Sequence, residues 1–232
     1  MKESRMDIGT VIITGGVSGL GAAVTSAVAD AGGRPVVLDR VQPGDDIEHE
    51  LVDIADREQT EQVVRRVSGR TGGIDAVVTC AGIDSCGRLE DVPAQEWDRV
   101  VIVNLLGTAA VVRAAMPDLR RRHGRVVTVA STLGLRAVSD ATAYCASKFG
   151  VVGFTRALAA ETAGQVGVTL LVPGGMQTPF FDGRDEQYKP GPDAKLNRPQ
   201  DVAQAVIFAL RQPPGCEVRE LVVTPSVEGS WP

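Results

Sequence analysis

Tyr144 and Lys148 stand four residues apart in Tyr144-Cys145-Ala146-Ser147-Lys148, and Ser131 precedes the tyrosine by thirteen residues. Positions four apart share one face of a helix, which sets a phenol beside an ammonium. A free phenol, with a pKa of about 10, is a poor base near neutrality, and a neighbouring cation favours the phenolate. A serine hydroxyl poised upstream can hold a substrate oxygen as charge develops on it. The trio suits moving a proton onto or off a carbonyl oxygen. Only four lysines occur against twenty arginines, so abundance does not explain a lysine at this place.

A second constellation lies near the N-terminus. Thr14-Gly15-Gly16-Val17-Ser18-Gly19-Leu20-Gly21 follows a short apolar run and opens a helical stretch. Glycines there permit a tight turn and let a pyrophosphate approach the backbone, and a helix N-terminus favours anions. Gly15, Ser18, Gly19, Leu20 and Gly21 are the candidate phosphate contacts. Asp39 ends the next apolar run, twenty residues after Gly19. An acid there can accept from adenosine ribose hydroxyls and repel the extra phosphate of NADP. Arg40 pulls the other way, since a guanidinium binds phosphate. Asp39 outweighs it because the strand end fixes its direction, so NAD is expected ahead of NADP.

Positioning these groups requires strand-helix alternation. Candidate strands are 10–14, 35–39, 50–52, 74–79, 125–130, 166–172 and 217–224. Candidate helices are 19–31, 56–69, 93–121, 141–163 and 199–211. Continuous runs such as Val11-Ile12-Ile13 suit parallel strands buried on both faces. The pattern predicts an α/β, doubly wound Rossmann-type fold: a parallel sheet of about seven strands flanked by helices. Residues 1–232 read as a single dinucleotide-binding catalytic domain. Pro117 is expected to bend or end its helix. Residues 173–199 hold five prolines and four glycines and read as a substrate lid.

Composition is that of a globular protein, with 44% apolar and 23% charged residues. A net charge of −5 favours neither nucleic acid nor an anionic membrane. The basic run Arg120–Arg125 reads as a helix end. Cys80, Cys86, Cys145 and Cys216 lack metal-ligand spacing and read as reduced thiols, so no metal is expected. No targeting segment is evident in 1–13, and the nearest approach to a membrane span, 141–160, is interrupted by Lys148 and Arg156. A cytoplasmic location is expected.

With these motifs in place, the chain resembles the short-chain dehydrogenase/reductase family over nearly its whole length. Thr14–Gly21 matches the family's cofactor loop. Asp53, with Ile54 beside it, matches the acid that contacts adenine. Asn104, Ser131, Tyr144 and Lys148 match the catalytic tetrad, and Pro173-Gly174 and Thr178 match the motif after the sixth strand. Met176 belongs to the same stretch. Where relatives often read Asn-Asn-Ala-Gly, this chain has Thr79-Cys80-Ala81-Gly82. Ala81 and Gly82 keep room beside the cofactor, but Cys80 cannot supply the amide hydrogen bonds of an asparagine. The resemblance implies that Tyr144 is the general acid/base and Ser131 holds the reacting oxygen. Lys148 would lower the Tyr144 pKa and hold the nicotinamide ribose, and Asn104 would hold a water that relays protons from Lys148.

The function expected is an NAD(H)-dependent oxidoreductase that interconverts a secondary alcohol and a ketone by hydride transfer. An NADPH-dependent ketoreductase and a non-catalytic dinucleotide sensor are the alternatives. A sugar-nucleotide epimerase also uses Tyr-x-x-x-Lys but belongs to a longer branch with a substrate domain after the sheet. Substrate contacts are expected from Asp84, Ser85, Leu133, Gln177, Phe180 and Phe181, around a small-molecule alcohol or ketone of medium size. Relatives pair the 93–121 and 141–163 helices between subunits, which implies a homodimer or homotetramer.

Overall fold

Runs of β-branched residues bury strands on both faces, and the computed structural model, which describes residues 8–44 and 46–229, assembles them into one sheet. Residues 1–7, part of the stretch weighed as a leader, lie outside the described residues, as do both ends of the 1–232 domain reading. The strands are β1 (Thr10–Thr14), β2 (Arg34–Asp39), β3 (His49–Leu51), β4 (Ala76–Thr79), β5 (Arg125–Val129), β6 (Gly167–Pro173) and β7 (Glu220–Val223). They run parallel in the order β3-β2-β1-β4-β5-β6-β7. Successive strands step leftward from β1 to β3, then return to the other side of β1. The crevice beyond the β1 and β4 C-termini is thus the topological switch point, where such sheets bind ligands.

Helices cover both faces. On one, α1 (Gly19–Asp30) and α6 (Pro199–Leu210) pack Val24, Val28, Val202 and Val206 against Val11, Ile13 and Val78. On the other, α2 (Arg57–Thr71), α4 (Thr108–Arg122) and α5 (Thr142–Glu161) meet the sheet, and α3 (Ala94–Val101) packs on α5. There Val63, Val67, Val111, Leu119 and Leu158 cover Ile12, Val36, Val77 and Val126.

The 94–122 stretch is one continuous helix with a π-turn at Ile102–Gly107. It is long and apolar enough to cross a bilayer by those two measures, which 141–160 was expected to approach most nearly. Val111, Val112, Ala115 and Leu119 spend its apolar face on the core. Pro117 does not end it; the helix runs on to Arg122. Pro117 and Arg113 are both exposed, so the carbonyl that proline leaves unpaired faces water. The basic run at the helix end is used in pairing: Arg122 meets Asp75 at 2.7 Å and Arg121 meets Asp118 at 2.5 Å.

Strand β7 is shorter than the 217–224 expected. It pairs only with β6, from Leu170 opposite Glu220 to Pro173 opposite Val223. Between β6 and α6 the chain is irregular except for short 3-10 turns at Pro179–Phe181 and Glu186–Tyr188 and a parallel bridge of Met176 to Asn197.

Candidate active site

The glycine loop turns sharply where β1 gives way to α1. Gly15 has φ +67°, and a Cβ on it would stand 2.8 Å from the Ala81 backbone. A Cβ on Gly21 would fall 2.0 Å from the Gly15 carbonyl oxygen. No larger residue fits either place without moving the loop. Ser18 is the N-cap of α1 but makes no side-chain cap hydrogen bond, which leaves the first-turn N–H groups for a ligand. Gly15, Ser18, Gly19, Leu20 and Gly21 all line a cleft of about 470 Å³ over the switch point.

A smaller cleft of about 160 Å³ adjoins it and shares Gly15, Ser18, Ala81 and Gly82. Its remaining wall holds Asp39, Arg40, Asp53 and Ile54, with Ile83, Arg99 and Val103. Both carboxylate oxygens of Asp39 accept backbone N–H bonds, from Val17 and Val41, each at 3.1 Å. Asp53 accepts from the Ala55 N–H at 3.0 Å and pairs with Arg99 at 2.7 Å. Burial pushes the Asp53 carboxyl up, but the Arg99 and Ala55 hydrogen bonds and the charges of Arg99 and Arg40 hold it below the usual range. Arg99 escaped the sequence reading because only the tertiary fold brings it to Asp53. An elongated pair of clefts, phosphate-compatible in the middle and acid-lined at one end, fits a dinucleotide.

Cys80, Ala81, Gly82, Pro173, Gly174, Met176 and Thr178 line the larger cleft. The hydrogen bond that Cys80 cannot make between strands has a substitute, since the Ala81 N–H donates to Thr14 Oγ1 at 3.1 Å. Burial pushes the Cys80 thiol up to about 12 against the pull of Lys148. It is neutral near pH 7 and offers Lys148 no counter-charge.

Tyr144, Lys148 and Ser131 converge in the same cleft. Tyr144 is 9% exposed and Lys148 5%. Ser131 Oγ accepts from the Leu133 N–H at 3.1 Å and is hydrogen-bonded to the Tyr144 hydroxyl. A bond that favours the phenolate is one the serine donates, so the Ser131 proton is directed at the Tyr144 oxygen. Lys148 Nζ donates to the Val129 carbonyl at 2.9 Å and stands 5.6 Å from the Tyr144 ring centroid. The expected lowering of the phenol pKa is not a property of these protein groups alone. Burial drives Tyr144 above its ordinary value, and the Ser131 hydrogen bond offsets only part of that.

Asn104 sits in the π-turn, and its side chain makes three hydrogen bonds. Oδ1 accepts from the Ile83 N–H at 2.8 Å, and Nδ2 donates to the Ile83 carbonyl at 2.9 Å and to Ser147 Oγ at 3.0 Å. The Ser147 hydroxyl in turn donates to the Tyr144 carbonyl at 2.8 Å. Asn104 therefore braces the loop after β4 to α5. Its main-chain carbonyl accepts from Thr108 Oγ1 at 2.9 Å. Asn104 Oδ1 and Lys148 Nζ lie 3.5 and 3.6 Å from the point a Gly82 Cβ would occupy. A Cβ at residue 82 would meet both at ordinary contact distance.

Among the substrate candidates, Leu133, Phe180 and Phe181 line the cleft, and the Phe180 ring lies 5.7 Å from that of Tyr144. Ser85 and Gln177 do not line it. Ser85 Oγ donates to Glu96 at 2.9 Å, and Gln177 Nε2 donates to the Leu196 carbonyl at 3.3 Å. Asp84 also stands behind the wall, paired with Arg184 at 2.7 Å. Arg184 and Glu228 line the cleft unforeseen, because both come from irregular segments with no periodicity to mark them.

Lys148 carries a stability prediction. Burial lowers its pKa from 10.5 to about 8. The unfolded chain thus binds more protons than the folded one between those values, and stability rises with pH across that window. Tyr144, raised by burial, acts in the opposite sense above its ordinary value near 10. Lys148→Met should therefore raise the unfolding free energy at pH 7 by about 2 kcal/mol, the desolvation relief less one hydrogen bond. It should also flatten the rise toward about pH 9.5 expected from this shift. Urea midpoints at the two pH values check this.

A family model for short chain dehydrogenase matches residues 9–189, and the chain belongs to that family. It is similar to a D-beta-hydroxybutyrate dehydrogenase of Cupriavidus necator, 32% identical over 89% of this chain and 84% of the other. A 3-oxoacyl-[acyl-carrier-protein] reductase of Thermotoga maritima is 30% identical over 88% and 91%. Among solved structures, an aldohexose dehydrogenase of Thermoplasma acidophilum superposes with a TM-score of 0.84 at 26% identity, over 95% of this chain and 93% of that one. The protein is an NAD(P)-dependent oxidoreductase of the short-chain type that acts on CH–OH and C=O groups.

Proposed function

We propose that the protein interconverts a secondary alcohol and a ketone with NAD(H), using Tyr144 as the proton-transferring group. The observation that carries this reading is the convergence of Tyr144, Ser131 and Lys148 in one cleft with the glycine loop. The nicotinamide cofactor supplies the hydride acceptor or donor. The glycine loop and the α1 N-terminus would hold its pyrophosphate, Asp39 its adenosine ribose, and Asp53 and Ile54 its adenine. Pro173, Gly174, Met176 and Thr178 would line the nicotinamide end. In the oxidative direction Ser131 donates to the alcohol oxygen and Tyr144 accepts its proton as the carbonyl forms. In reduction Tyr144 returns that proton. Lys148, held by Val129, supplies positive charge beside the phenol and would bind the nicotinamide ribose. Asn104 positions α5 through Ser147. Leu133, Phe180 and Phe181 would contact the substrate, with 173–199 as its lid.

A homodimer or homotetramer is the assembly this reading favours. Leu106 and Phe149, 53% and 44% exposed on the π-turn and α5, support it. Purified protein should reduce NAD in the presence of one or more secondary alcohols, polyols or hydroxy acids. The same preparation should scatter light as a dimer or tetramer. No nicotinamide reduction across the panel with either cofactor would sink the enzymatic reading, and a monomer mass would sink the assembly.

A further inference from the structure

We propose that Arg184 recognises the substrate, and that the substrate carries a carboxylate a few carbons from the reacting carbon, as a hydroxy or keto acid does. This rests on the oxidoreductase reading above. Arg184 lines the cleft that holds Tyr144. Its guanidinium is fixed on several sides. It donates to Asp84 at 2.7 Å and to the Tyr188 carbonyl at 3.3 Å. Its carbon lies 4.9 Å from the Phe180 ring centroid and 4.7 Å from that of Phe181. Phe180 in turn faces Tyr144, so the cation stands one aromatic ring away from the proton-transferring hydroxyl.

One donor of this fixed group is unspent. Arg184 Nε is buried and has no hydrogen-bond partner among the described residues. A buried N–H without an acceptor is costly, and such exceptions ask for an explanation. A substrate oxygen would supply the acceptor once the packing of Phe180 and Phe181 over the guanidinium shifts to expose Nε. A carboxylate suits it best, because the planar guanidinium matches carboxylate geometry and the bond is charge-assisted. Asp84, only 6% exposed at its side chain, occupies another edge of the guanidinium and holds it toward the cleft wall. Glu228 lines the cleft against Gly174, its Oε2 2.3 Å from where a Gly174 Cβ would stand.

The test compares short 2-, 3- and 4-hydroxy acids, their methyl esters and the secondary alcohols of equal length, by kcat/KM. The best acid should exceed its alcohol by about 30-fold, the range of a hydrogen bond to a charged group. Arg184→Gln should remove that preference by lowering kcat/KM for the best acid about 30-fold more than for its alcohol. Asp84→Asn, which keeps the shape of the latch and removes its charge, should strengthen the preference for acid. If Arg184 only latches the lid, both variants lower acid and alcohol together, and the proposal fails. Calorimetric titration of the same acids into protein saturated with cofactor gives a readout without turnover. Binding to the parent but not to Arg184→Gln supports the proposal, and no binding to either overturns it. Turnover of plain alcohols with no preference for acids overturns this inference alone and leaves the oxidoreductase reading standing.

Discussion

Tyr144→Phe retains the fold and loses alcohol oxidation by about 10³-fold or more, within the range of general acid–base catalysis. The ring still packs against Phe180, whose centroid lies 5.7 Å away, so only the hydroxyl and its bond to Ser131 are removed. A deleted hydrogen bond of this kind costs on the order of 1 kcal/mol of stability. The chemistry loses far more, because the hydroxyl removed is the group that transfers the proton. Lys148 is committed to Val129, and Cys80 holds its own proton, its pKa raised by burial to about 12. The measurement is the initial rate of nicotinamide reduction, alongside a thermal melt of both proteins. Parent-like turnover by the variant would defeat the mechanism.

Asp39 should make the enzyme prefer NAD over NADP by about 100-fold in kcat/KM. Like charges about 4 Å apart cost on the order of 4 kcal/mol at an effective dielectric near 20, and solvent at this rim reduces that to roughly 2–3 kcal/mol. The two backbone N–H bonds from Val17 and Val41 prevent the carboxylate from swinging aside. Each of its oxygens keeps a lone pair for a ribose hydroxyl. Asp39→Ser should remove the repulsion and leave Arg40, on the same cleft wall, as a phosphate partner. The ratio should then fall by about 100-fold, mostly through a lower KM for NADP. A parent that favours NADP would overturn this reading.

The strands and helices were legible because each is a local pattern. Continuous runs such as Val126-Val127 become central strands, and the expected bounds agree with the structure within a few residues. The glycine loop and the Tyr-x-x-x-Lys pair were legible because spacing alone places them. The brace at Thr14 was not, since it depends on Ala81 arriving from another strand. The π-turn was not legible either. Asn104 meets Ile83 through contacts 21 residues apart, and no local period announces an i→i+5 turn. Arg99, Arg184 and Glu228 share that cause. Each enters the site through tertiary packing, and two come from segments without repeating structure. Ser85 and Gln177 were misplaced for the converse reason: sequence puts them near the cleft, but their partners turn their side chains away.

The strand order has a consequence for how the chain is made. β1 is synthesised first, β2 and β3 extend the sheet to one side, and β4 through β7 extend it to the other. Every strand joins at an edge that is open when it emerges, and none must be threaded between two already paired. A domain that leaves the ribosome N-terminus first can therefore lengthen its sheet without undoing any earlier pairing. The switch point between β1 and β4 is the one place where growth reverses direction, and the cleft is the gap that reversal leaves.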